Sequence, residues 1–469
     1  MSFATLASTS SRPVAPASNR LDALRARVAG DVITARSIEY DEARDTLYGR
    51  DRFPFAVVRV ASSEDVAATV EFAREHSLPL TVRSGGHSLA GYGVADDAIV
   101  VDFSAMKRVI VDPITRTARV QAGATSGDLA GPAAEHGLAL STGDTHSVGM
   151  GGLTTGGGIG FMVRRHGLAI DNLLSARVVT ANGEIVTASA TSHPDLFWAI
   201  RGGGGNVGII TEFEFQLAEV PQILGGALIL PASREVLRGY LEYTPDAPED
   251  LTTIANLMHL PPLPFVAPER VGEVVLLVLV TWTGDVEAGQ EALAPLRALA
   301  EPVADLISPM PYPAMYQLTA EQAVKHGASI RMMFADDLSD ASLDAMLAAV
   351  TASSSPMSLV QLRGLGGAYG TVPSDATAFA HRERRLFVSI INIWMDLSDD
   401  RAPHEAWTQA LWEKIRPEGN GVYVNFLENE GAARVHEAYP GATYERLQAI
   451  KAKYDPENLF RFNQNVAPR

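Results

Sequence analysis

The chain has 469 residues, of which 46% are hydrophobic and 20% are charged, proportions typical of globular proteins. Its formal net charge of −17 disfavours nucleic acid and anionic membrane surfaces as partners, and no apolar run reaches membrane-spanning length. The absence of cysteine excludes disulfides, thiolate catalysis, iron–sulfur clusters and cysteine–zinc sites.

The amino-terminal segment, residues 1–30, is predicted to be a partly disordered leader. Met1–Asn19 is rich in Ser, Ala and Pro and contains no apolar core of signal-peptide length. We therefore expect a cytoplasmic protein, with a cleaved transit segment as the alternative. Within the leader, Leu21–Ala29 is predicted to form a short helix.

The next segment predicts a β-α-β unit. The apolar runs Phe55–Val60 and Leu78–Val82 are predicted strands, and Ser63 is the predicted cap of the helix between them. The segment Arg83–Ser88, which reads Arg-Ser-Gly-Gly-His-Ser, follows the second strand. Ligands bind at the carboxyl ends of strands in open α/β sheets, so this segment is a candidate binding loop. The alternative is a tight turn with an exposed histidine.

Two further glycine-rich segments precede residue 210. Seven of the twelve residues in Gly149–Gly160 are glycine, and apolar Met150, Leu153 and Ile159 interrupt the run. This pattern argues against a flexible linker and favours backbone packed against a large flat or phosphorylated ligand. Gly203–Gly208 fits G-x-G-x-x-G, but it follows a predicted helix and precedes a strand, which is the reverse of the NAD-binding context.

The rest of the chain predicts a hairpin, a second domain and a docked tail. Leu174–Thr180 and Ile185–Thr187 are predicted to pair through a type I′ turn at Asn182-Gly183. Beyond it, strands alternate with helices rich in Ala, Leu and Glu, which indicates an antiparallel sheet backed by helices. The predicted strands here are Val271–Trp282, Leu359–Leu365 and Leu386–Trp394, the predicted helices are Glu287–Ala300 and Asp340–Ala352, and the predicted tail helix is Thr443–Tyr454.

Other catalytic motifs are missing from the sequence. There is no G-x-x-x-x-G-K-[ST] phosphate loop, no G-x-S-x-G serine in the glycine-rich run and no H-E-x-x-H metal motif, so no metal site is predicted. Three glycine-rich loops with one histidine among them favour a large, phosphate-bearing cofactor in an extended conformation.

These segments resemble the FAD-linked oxidases of the vanillyl-alcohol-oxidase type and, within them, the berberine-bridge-enzyme-like subgroup. The first half resembles members of the 6-hydroxy-D-nicotine oxidase type. The residues that carry the similarity are Arg83–Ser88, Val148–Gly152, Gly156–Gly160, Asp195–Gly202, Tyr423–Phe426, Tyr454–Phe460 and Asn463–Asn465.

The resemblance implies an α+β fold with a PCMH-type two-part FAD-binding domain and a substrate domain. Residues 31–218 and 435–469 would form the first, and residues 219–434 would form the second, with an antiparallel sheet backed by helices. FAD is the implied cofactor, with His87 covalently bonded to its 8α-methyl. Many relatives add a second bond from a cysteine, but Thr145 stands at the aligned position and the chain has no cysteine, so a bicovalent flavin is excluded. A monocovalent flavin is predicted, with non-covalent attachment as the alternative.

The implied cofactor-binding residues lie in the three loops and the tail. They are Arg83, Ser84, Gly85, Gly86, His87, Ser88, Thr145, Gly149, Gly151, Gly152, Thr155, Gly157, Gly158, Gly160, Gly208, Ile210, Asn463 and Asn465.

The resemblance also implies the reaction. A FAD-dependent oxidase takes hydride from a C–H next to an alcohol, hemiacetal or amine onto flavin N5, and O2 reoxidises the flavin to give H2O2. The expected partners are therefore a small-molecule substrate and molecular oxygen. The alternatives are a dehydrogenase with another acceptor and a non-catalytic flavin-binding protein.

The proton acceptor is expected on the sheet of the substrate domain. We select Tyr423, with a lowered hydroxyl pKa, as the base and Asn425 as its hydrogen-bonding partner; the alternative is that both support the flavin. The other candidates are Asn392, Ser389 and Tyr369, because the strand Leu386–Trp394 carries no Asp or Glu. The aromatic residues expected to line the substrate pocket, or else to fill the core, are Trp282, Tyr316, Tyr369 and Trp394.

Overall fold

Short strands and helices alternate along the chain. The computed structural model describes residues 18–469. Its strands are β1 (Asp31–Ile33), β2 (Ala56–Arg59), β3 (Leu80–Arg83), β4 (Ile99–Asp102), β5 (Val109–Asp112), β6 (Thr117–Gln121), β7 (Leu138–Ala139), β8 (Leu173–Val179), β9 (Ile185–Ser189), β10 (Ile209–Gln216), β11 (Ala218–Glu219), β12 (Ile223–Pro231), β13 (Leu251–His259), β14 (Val274–Trp282), β15 (Ala304–Asp305), β16 (Ser308–Met310), β17 (Gly327–Ala335), β18 (Ser358–Gly364) and β19 (Leu386–Trp394). Its α-helices are α1 (Ser18–Arg25), α2 (Tyr40–Ala43), α3 (Ser63–Glu75), α4 (Ser126–Ala134), α5 (Met150–Gly156), α6 (Val163–His166), α7 (Pro194–Ile200), α8 (Arg234–Tyr243), α9 (Val286–Arg297), α10 (Asp340–Thr351), α11 (Ala368–Thr371), α12 (Arg401–Ile415), α13 (Ala432–Ala438) and α14 (Ala442–Tyr454).

The predicted leader is only partly covered by the structure. Its residues 1–17 lie outside the described residues. Helix α1 begins and ends earlier than the predicted helix Leu21–Ala29. Between Ser18 and Arg469, no helix is both long enough and apolar enough to cross a membrane.

The first sheet carries the Arg83–Ser88 loop. Its strand order is β1-β2-β4-β3, and both β2 and β3 pair in parallel with β4. Helix α3 connects β2 to β3, and its cap is Ser62 rather than the predicted Ser63, because the Ser62 hydroxyl accepts the backbone N–H of Asp65. The predicted β-α-β unit is therefore confirmed. Arg83 ends β3, so the loop leaves the sheet at the carboxyl end of that strand.

The second sheet is antiparallel and shares its core with the first. Its strand order is β5-β6-β10-β8-β9, and helix α3 packs against β4 as well as against β8 and β9. The predicted β8–β9 hairpin is confirmed, but its type I′ turn is wrong. A type I′ turn needs a positive φ at both central residues, and of Asn182 and Gly183 only Gly183 has one, at 85°.

The largest sheet has eight antiparallel strands, which confirms the predicted sheet backed by helices. Seven of them run in the order β15-β12-β14-β13-β18-β19-β17, and β16 pairs with β12. Helices α8, α9, α10 and α12 cover one face of this sheet and bury a core of aliphatic side chains. The opposite face of β17, β18 and β19 looks toward the glycine-rich loops.

Candidate active site

A single cavity of about 390 Å³ brings the predicted segments together. Its walls come from the loop after β3, the segment around α5, the backbone before β10, the carboxyl-terminal tail and the strands β17, β18 and β19. The three glycine-rich loops are far apart in sequence, yet each of them reaches this cavity. The predicted residues that line it are Arg83, Ser84, Gly85, Gly86, His87, Ser88, Thr145, Gly149, Gly151, Gly152, Thr155, Gly208, Ile210, Tyr423, Asn425 and Asn463.

His87 lies on the cavity wall with one ring nitrogen already engaged. Its Nε2 lies 2.9 Å from the hydroxyl oxygen of Ser147. Burial, together with the nearby rings of His326 and His146, lowers the pKa of His87 to about 4. The imidazole is therefore neutral at physiological pH, so a ring nitrogen keeps its lone pair.

The loop that carries His87 is held by side chains behind it. Arg83 forms a buried ion pair with Asp102 at 2.9 Å and donates to the backbone carbonyl of Asp45 at 2.8 Å. Gly85 packs directly against Gly149, and a Cβ on either glycine would overlap the other residue's backbone. This close approach joins two of the three glycine-rich loops and explains why both positions are glycine.

The glycines of the segment from Gly149 to Gly160 divide into two groups. Gly149, Gly151 and Gly152 line the cavity. A Cβ on Gly152 would meet no atom within 4 Å, so this part of helix α5 borders open space.

None of the other four glycines lines the cavity, which corrects the role predicted for Gly157, Gly158 and Gly160. The backbone N–H of Gly158 donates to the Tyr423 hydroxyl at 2.9 Å. A Cβ on Gly157 would crowd the rings of Phe379 and Tyr423, and one on Gly160 would overlap the backbone of Thr142. These positions therefore serve close packing behind the cavity wall.

In the tail, Asn463 lines the cavity but Asn465 does not, which corrects a second prediction. The amide nitrogen of Asn463 donates to the carbonyls of Gly205 and Phe460, both at 3.0 Å. Its amide oxygen is buried and has no hydrogen-bond partner among residues 18–469. Gln464 takes the lining position expected of Asn465 and donates to the carbonyl of Leu427 at 2.8 Å.

A buried ion pair fixes the tail against the third glycine-rich loop. Lys451 and Asp455 are both fully buried and lie 2.6 Å apart. The Lys451 ammonium also donates to the carbonyls of Asn206 and Phe460, both at 2.8 Å, so all three of its hydrogens have acceptors. Because Asn206 belongs to the loop and Phe460 to the tail, this one ammonium positions two parts of the cavity wall.

Tyr423 and Asn425 lie together at the cavity, but the expected lowering of the Tyr423 pKa is wrong. Burial raises the pKa of Tyr423 to about 12, although the hydrogen bonds from Gly158 and Asn425 oppose this. The amide of Asn425 donates to the Tyr423 hydroxyl at 2.9 Å and to the carbonyl of Leu153 at 3.1 Å. Tyr423 is therefore a neutral phenol whose oxygen accepts two hydrogen bonds and whose own hydrogen remains available.

The other base candidates do not line the cavity. Asn392 points to the helix side of the sheet, where its amide bonds the hydroxyl of Ser358 and the ring of His404. Ser389 is fully buried, and the Tyr369 hydroxyl is committed to the carbonyl of His381. None of these three side chains contributes to the cavity wall.

The aromatic residues expected to line the pocket are core residues instead, so that prediction is wrong. Trp282 donates to the carbonyl of Asp285, the Tyr316 hydroxyl bonds Thr142, and Trp394 stacks on His404. All three are almost fully buried. The alternative expectation, that these residues fill the core, is confirmed.

The sequence did not point to several polar residues of the cavity. Asp144 and Arg363 form an ion pair across it, and Gln361 accepts from Arg363. Gln361 and Arg363 did have a signal in the sequence, because Leu359, Gln361 and Arg363 alternate along β18 and therefore share one face of the strand. The other polar or aromatic residues missed are Tyr48, Thr81, Tyr92, Phe103, Gln322, His326, Phe426, Phe460, Phe462 and Gln464.

The cavity suits a large flavin cofactor. Open space beside Gly152 leaves room for a group that packs on bare backbone, and the unpartnered oxygen of Asn463 is a buried acceptor that needs a donor. Backbone amides and carbonyls from the glycine-rich loops supply the remaining polar wall.

Two regions of the chain match models of known families. Residues 54–189 match the FAD binding domain, and residues 422–467 match the berberine and berberine-like domain. The first region contains His87 and the second contains Tyr423 and Asn463. Fold, cavity and matches together define the class, an oxidoreductase that binds FAD.

Relatives match the chain over nearly its whole length. (R)-6-hydroxynicotine oxidase from Paenarthrobacter nicotinovorans is 33% identical over 94% of this chain and 97% of the relative. Xylooligosaccharide oxidase from Thermothelomyces thermophilus is 30% identical over 89% of this chain and 88% of the relative. The crystal structure of 6-hydroxy-D-nicotine oxidase from Arthrobacter nicotinovorans has a TM-score of 0.83 at 28% identity, covering 94% of this chain and 98% of that one.

The chain belongs to the berberine-bridge-enzyme-like family of FAD-linked oxidoreductases. This confirms the family resemblance, the α+β fold and FAD as the cofactor.

Proposed function

We propose that this protein is an oxidase that removes hydride from a C–H next to an alcohol, hemiacetal or amine and passes the electrons to O2. The proposal rests on one observation. A single cavity is lined by His87, the glycine-rich loops, the tail and the helix-free face of the large sheet. Bound FAD supplies the hydride-accepting and O2-reducing chemistry. The residues of this chain hold the cofactor, orient the substrate and exclude water.

We propose that residues 31–218 and 435–469 bind the cofactor and that residues 219–434 bind the substrate. The loops of the four- and five-stranded sheets supply the glycine-rich walls of the cavity, the segment after helix α14 supplies the tail wall, and the large sheet supplies the facing wall. Contact between α14 and α7 supports grouping the tail with the first part of the chain.

His87 is the proposed covalent tether, through the 8α position of FAD. A neutral imidazole at the cavity wall is the nucleophilic form of histidine, and the pKa of about 4 keeps it in that form. The chain contains no cysteine, and Thr145 occupies the wall where a second tether would stand. The attachment is therefore monocovalent.

We propose that Tyr423 and Asn425 are the catalytic pair, acting through a neutral phenol. Both side chains line the cavity, and the Asn425 amide fixes the Tyr423 hydroxyl at 2.9 Å. Two donors already occupy the lone pairs of this oxygen, so its hydrogen is directed elsewhere. Tyr423 thus donates a hydrogen bond to the substrate heteroatom and orients the C–H bond that breaks. The O–H proton of an alcohol or hemiacetal then leaves to solvent water as the hydride passes to the flavin.

Oxygen and peroxide assays on the purified holoenzyme test the proposal. A panel of alcohols, lactol sugars and amines should include a substrate that consumes one O2 and releases one H2O2 per turnover. The same substrate should bleach the flavin absorption without oxygen, and admitting air should restore it.

Two other results would contradict the proposal that the protein is an oxidase. Bleaching that only an artificial dye acceptor reverses would identify a dehydrogenase. A flavin that dithionite bleaches but no panel member does would favour a non-catalytic flavin-binding protein.

A further inference from the structure

The wall of the cavity on the large sheet is one face of three neighbouring strands. Leu359 on β18 pairs with Ile391 on β19, and Ile391 pairs with Ile330 on β17. Side chains alternate between the two faces of a strand, so Gln361 and Arg363 lie on this same face. All five of these residues line the cavity.

Most of this wall is aliphatic. Ile330 and Ile391 belong to a buried cluster with Leu89 and Ala328, and Leu359 packs against that cluster. Such a surface offers no hydrogen bonds. A ligand with hydroxyl groups along its whole length would leave them unpaired here, at a cost of about 1–3 kcal/mol for each group.

The polar end of the wall is Arg363. This side chain is 3% exposed, and its guanidinium lies 4.7 Å from the ring centre of Phe387. Its Nε donates to the amide oxygen of Gln361 at 3.0 Å, and its Nη2 donates to Gln361 and to Asp144. No residue from Ser18 to Arg469 accepts a hydrogen bond from its Nη1, although the side chain lines the cavity.

The charge of this end is already balanced. Asp144 is the single carboxylate among the cavity-lining residues of the described chain, and it is paired with Arg363. An anionic ligand would compete with Asp144 for the guanidinium, whereas a neutral acceptor atom needs only the unused Nη1 hydrogens.

We propose that the substrate is a compact, neutral, mainly apolar alcohol or amine that also carries a hydrogen-bond acceptor, and that Arg363 holds this acceptor. The apolar body lies along the aliphatic wall. Leu359 and Arg363 are four residues apart on one strand, about 13 Å, which sets the span from the apolar end to the polar end. Oligosaccharides are excluded because the aliphatic wall leaves their hydroxyls unpaired. This assignment rests on the proposed function.

Calorimetric titration of the holoenzyme tests the assignment without requiring turnover. The matched probes are 4-acetylbenzyl alcohol and 4-ethylbenzyl alcohol, which have nearly the same shape but differ in one carbonyl acceptor. We expect the ketone to bind about tenfold more tightly, since hydrogen bonds to charged groups are the strong ones. Xylobiose, as the sugar probe, should give no binding.

Variants assign the preference to Arg363. In Arg363→Met the two alcohols should bind equally. The control is Arg385→Met, because Arg385 lies just before β19, pairs with the exposed Asp246 and does not line the cavity; the tenfold ratio should remain. The double variant Asp144→Asn with Arg363→Met removes both charges together, so it leaves no uncompensated buried carboxylate if the single variant misfolds.

Three results would overturn the assignment. They are equal binding of the two alcohols to the wild type, a ratio that survives removal of Arg363, and xylobiose binding more tightly than either alcohol. Failure of both alcohols to bind at millimolar concentration would overturn it as well. None of these results depends on oxygen or peroxide, so they are separate from a failure of the oxidase itself.

Discussion

The imidazole Nε2 of His87 lies 2.9 Å from the hydroxyl oxygen of Ser147, across 60 positions of sequence. Ser147 lies just before the second glycine-rich loop. This contact therefore ties His87 to the same loop that packs against the backbone of the His87 loop at Gly85. It also leaves Nδ1 without a hydrogen-bond partner among the described residues. The ring is thus held by one nitrogen and free at the other.

Tyr423→Phe removes the proposed hydrogen-bond donor and should lower the rate of substrate oxidation. One hydrogen bond to a developing charge corresponds to a loss of about tenfold to a hundredfold in kcat. Stopped-flow measurement of anaerobic flavin bleaching reports this step directly. Tyr369→Phe is the matched control, since Tyr369 is equally buried but does not line the cavity, and its rate should stay near wild type.

The pH dependence of the same rate separates a donor from a base. Because burial raises the pKa of Tyr423 to about 12, the phenol stays protonated up to pH 10 and should contribute no ionisation there. A wild-type rate that climbs with pH around 9 to 10, and loses that climb in Tyr423→Phe, would show that a phenolate acts as the base.

Gly152→Val should weaken cofactor binding without unfolding the chain. Gly152 borders open space on the cavity, so a branched side chain would occupy part of the cofactor's volume. Overpacking of about 1–3 kcal/mol corresponds to roughly tenfold to a hundredfold weaker binding, measured as flavin content after purification.

Gly131→Ala is the control, because Gly131 also has no atom near its Cβ position but lies on the solvent-exposed side of helix α4. It should keep full flavin content and gain about 0.5–1 kcal/mol of stability. Full flavin content in Gly152→Val would place the cofactor elsewhere.

Lys451→Met should be strongly destabilising. It leaves Asp455 as an unpaired, fully buried carboxylate, at a cost of about 3–5 kcal/mol in the free energy of unfolding. Urea denaturation followed by protein and flavin fluorescence should show that the tail and the cofactor-binding wall unfold at lower urea than in the wild type.

The neighbouring Lys453→Met removes an exposed pair with Asp195 and should change stability by less than about 1 kcal/mol. Similar midpoints for the two lysine variants would mean that the buried pair does not fix the tail.

Stability should fall with acidification because of His381. Burial lowers the pKa of this histidine from the ordinary 6.5 to about 4, so the unfolded chain binds the extra proton between these values and the folded chain does not. His381 alone should therefore lower the free energy of unfolding by about 1.4 kcal/mol for each pH unit between about 6.5 and 4.

His381→Gln should flatten this part of the stability curve, whereas substitution of the exposed His136 to Gln should not. Urea midpoints at pH 4.5 and 7 measure the difference. Parallel curves for wild type and His381→Gln would show that the histidine is protonated in the folded state.

Local patterns predicted the elements of this fold well, and for a clear reason. The run Leu78–Val82 and the glycines that follow it are a strand and a turn whatever the rest of the chain does, so the Arg83–Ser88 loop could be placed at a strand end. Family resemblance then predicted FAD as the cofactor and a covalent role for His87.

Contacts between distant parts of the chain could not be predicted from local sequence patterns. Alternation places Gln361 and Arg363 on one face of β18, but the face that looks into the cavity is decided by pairing with β13 and β19 and by the helices that cover the other face. Asp144 meets Arg363 across 219 positions. The raised pKa of Tyr423 depends on burial by residues from both halves of the chain. In the same way, the sequence could not show that Gly152 lines the cavity whereas Gly158 packs behind its wall.

The covalent tether is tested most directly by the mass of the acid-denatured protein. We predict that the yellow colour stays with the precipitated wild-type chain, whose mass exceeds that of the sequence by one FAD, and that His87→Ala loses both. His326→Ala, which alters another histidine of the cavity wall, should keep them. Release of the flavin by acid from the wild type, or its retention in His87→Ala, would contradict the account.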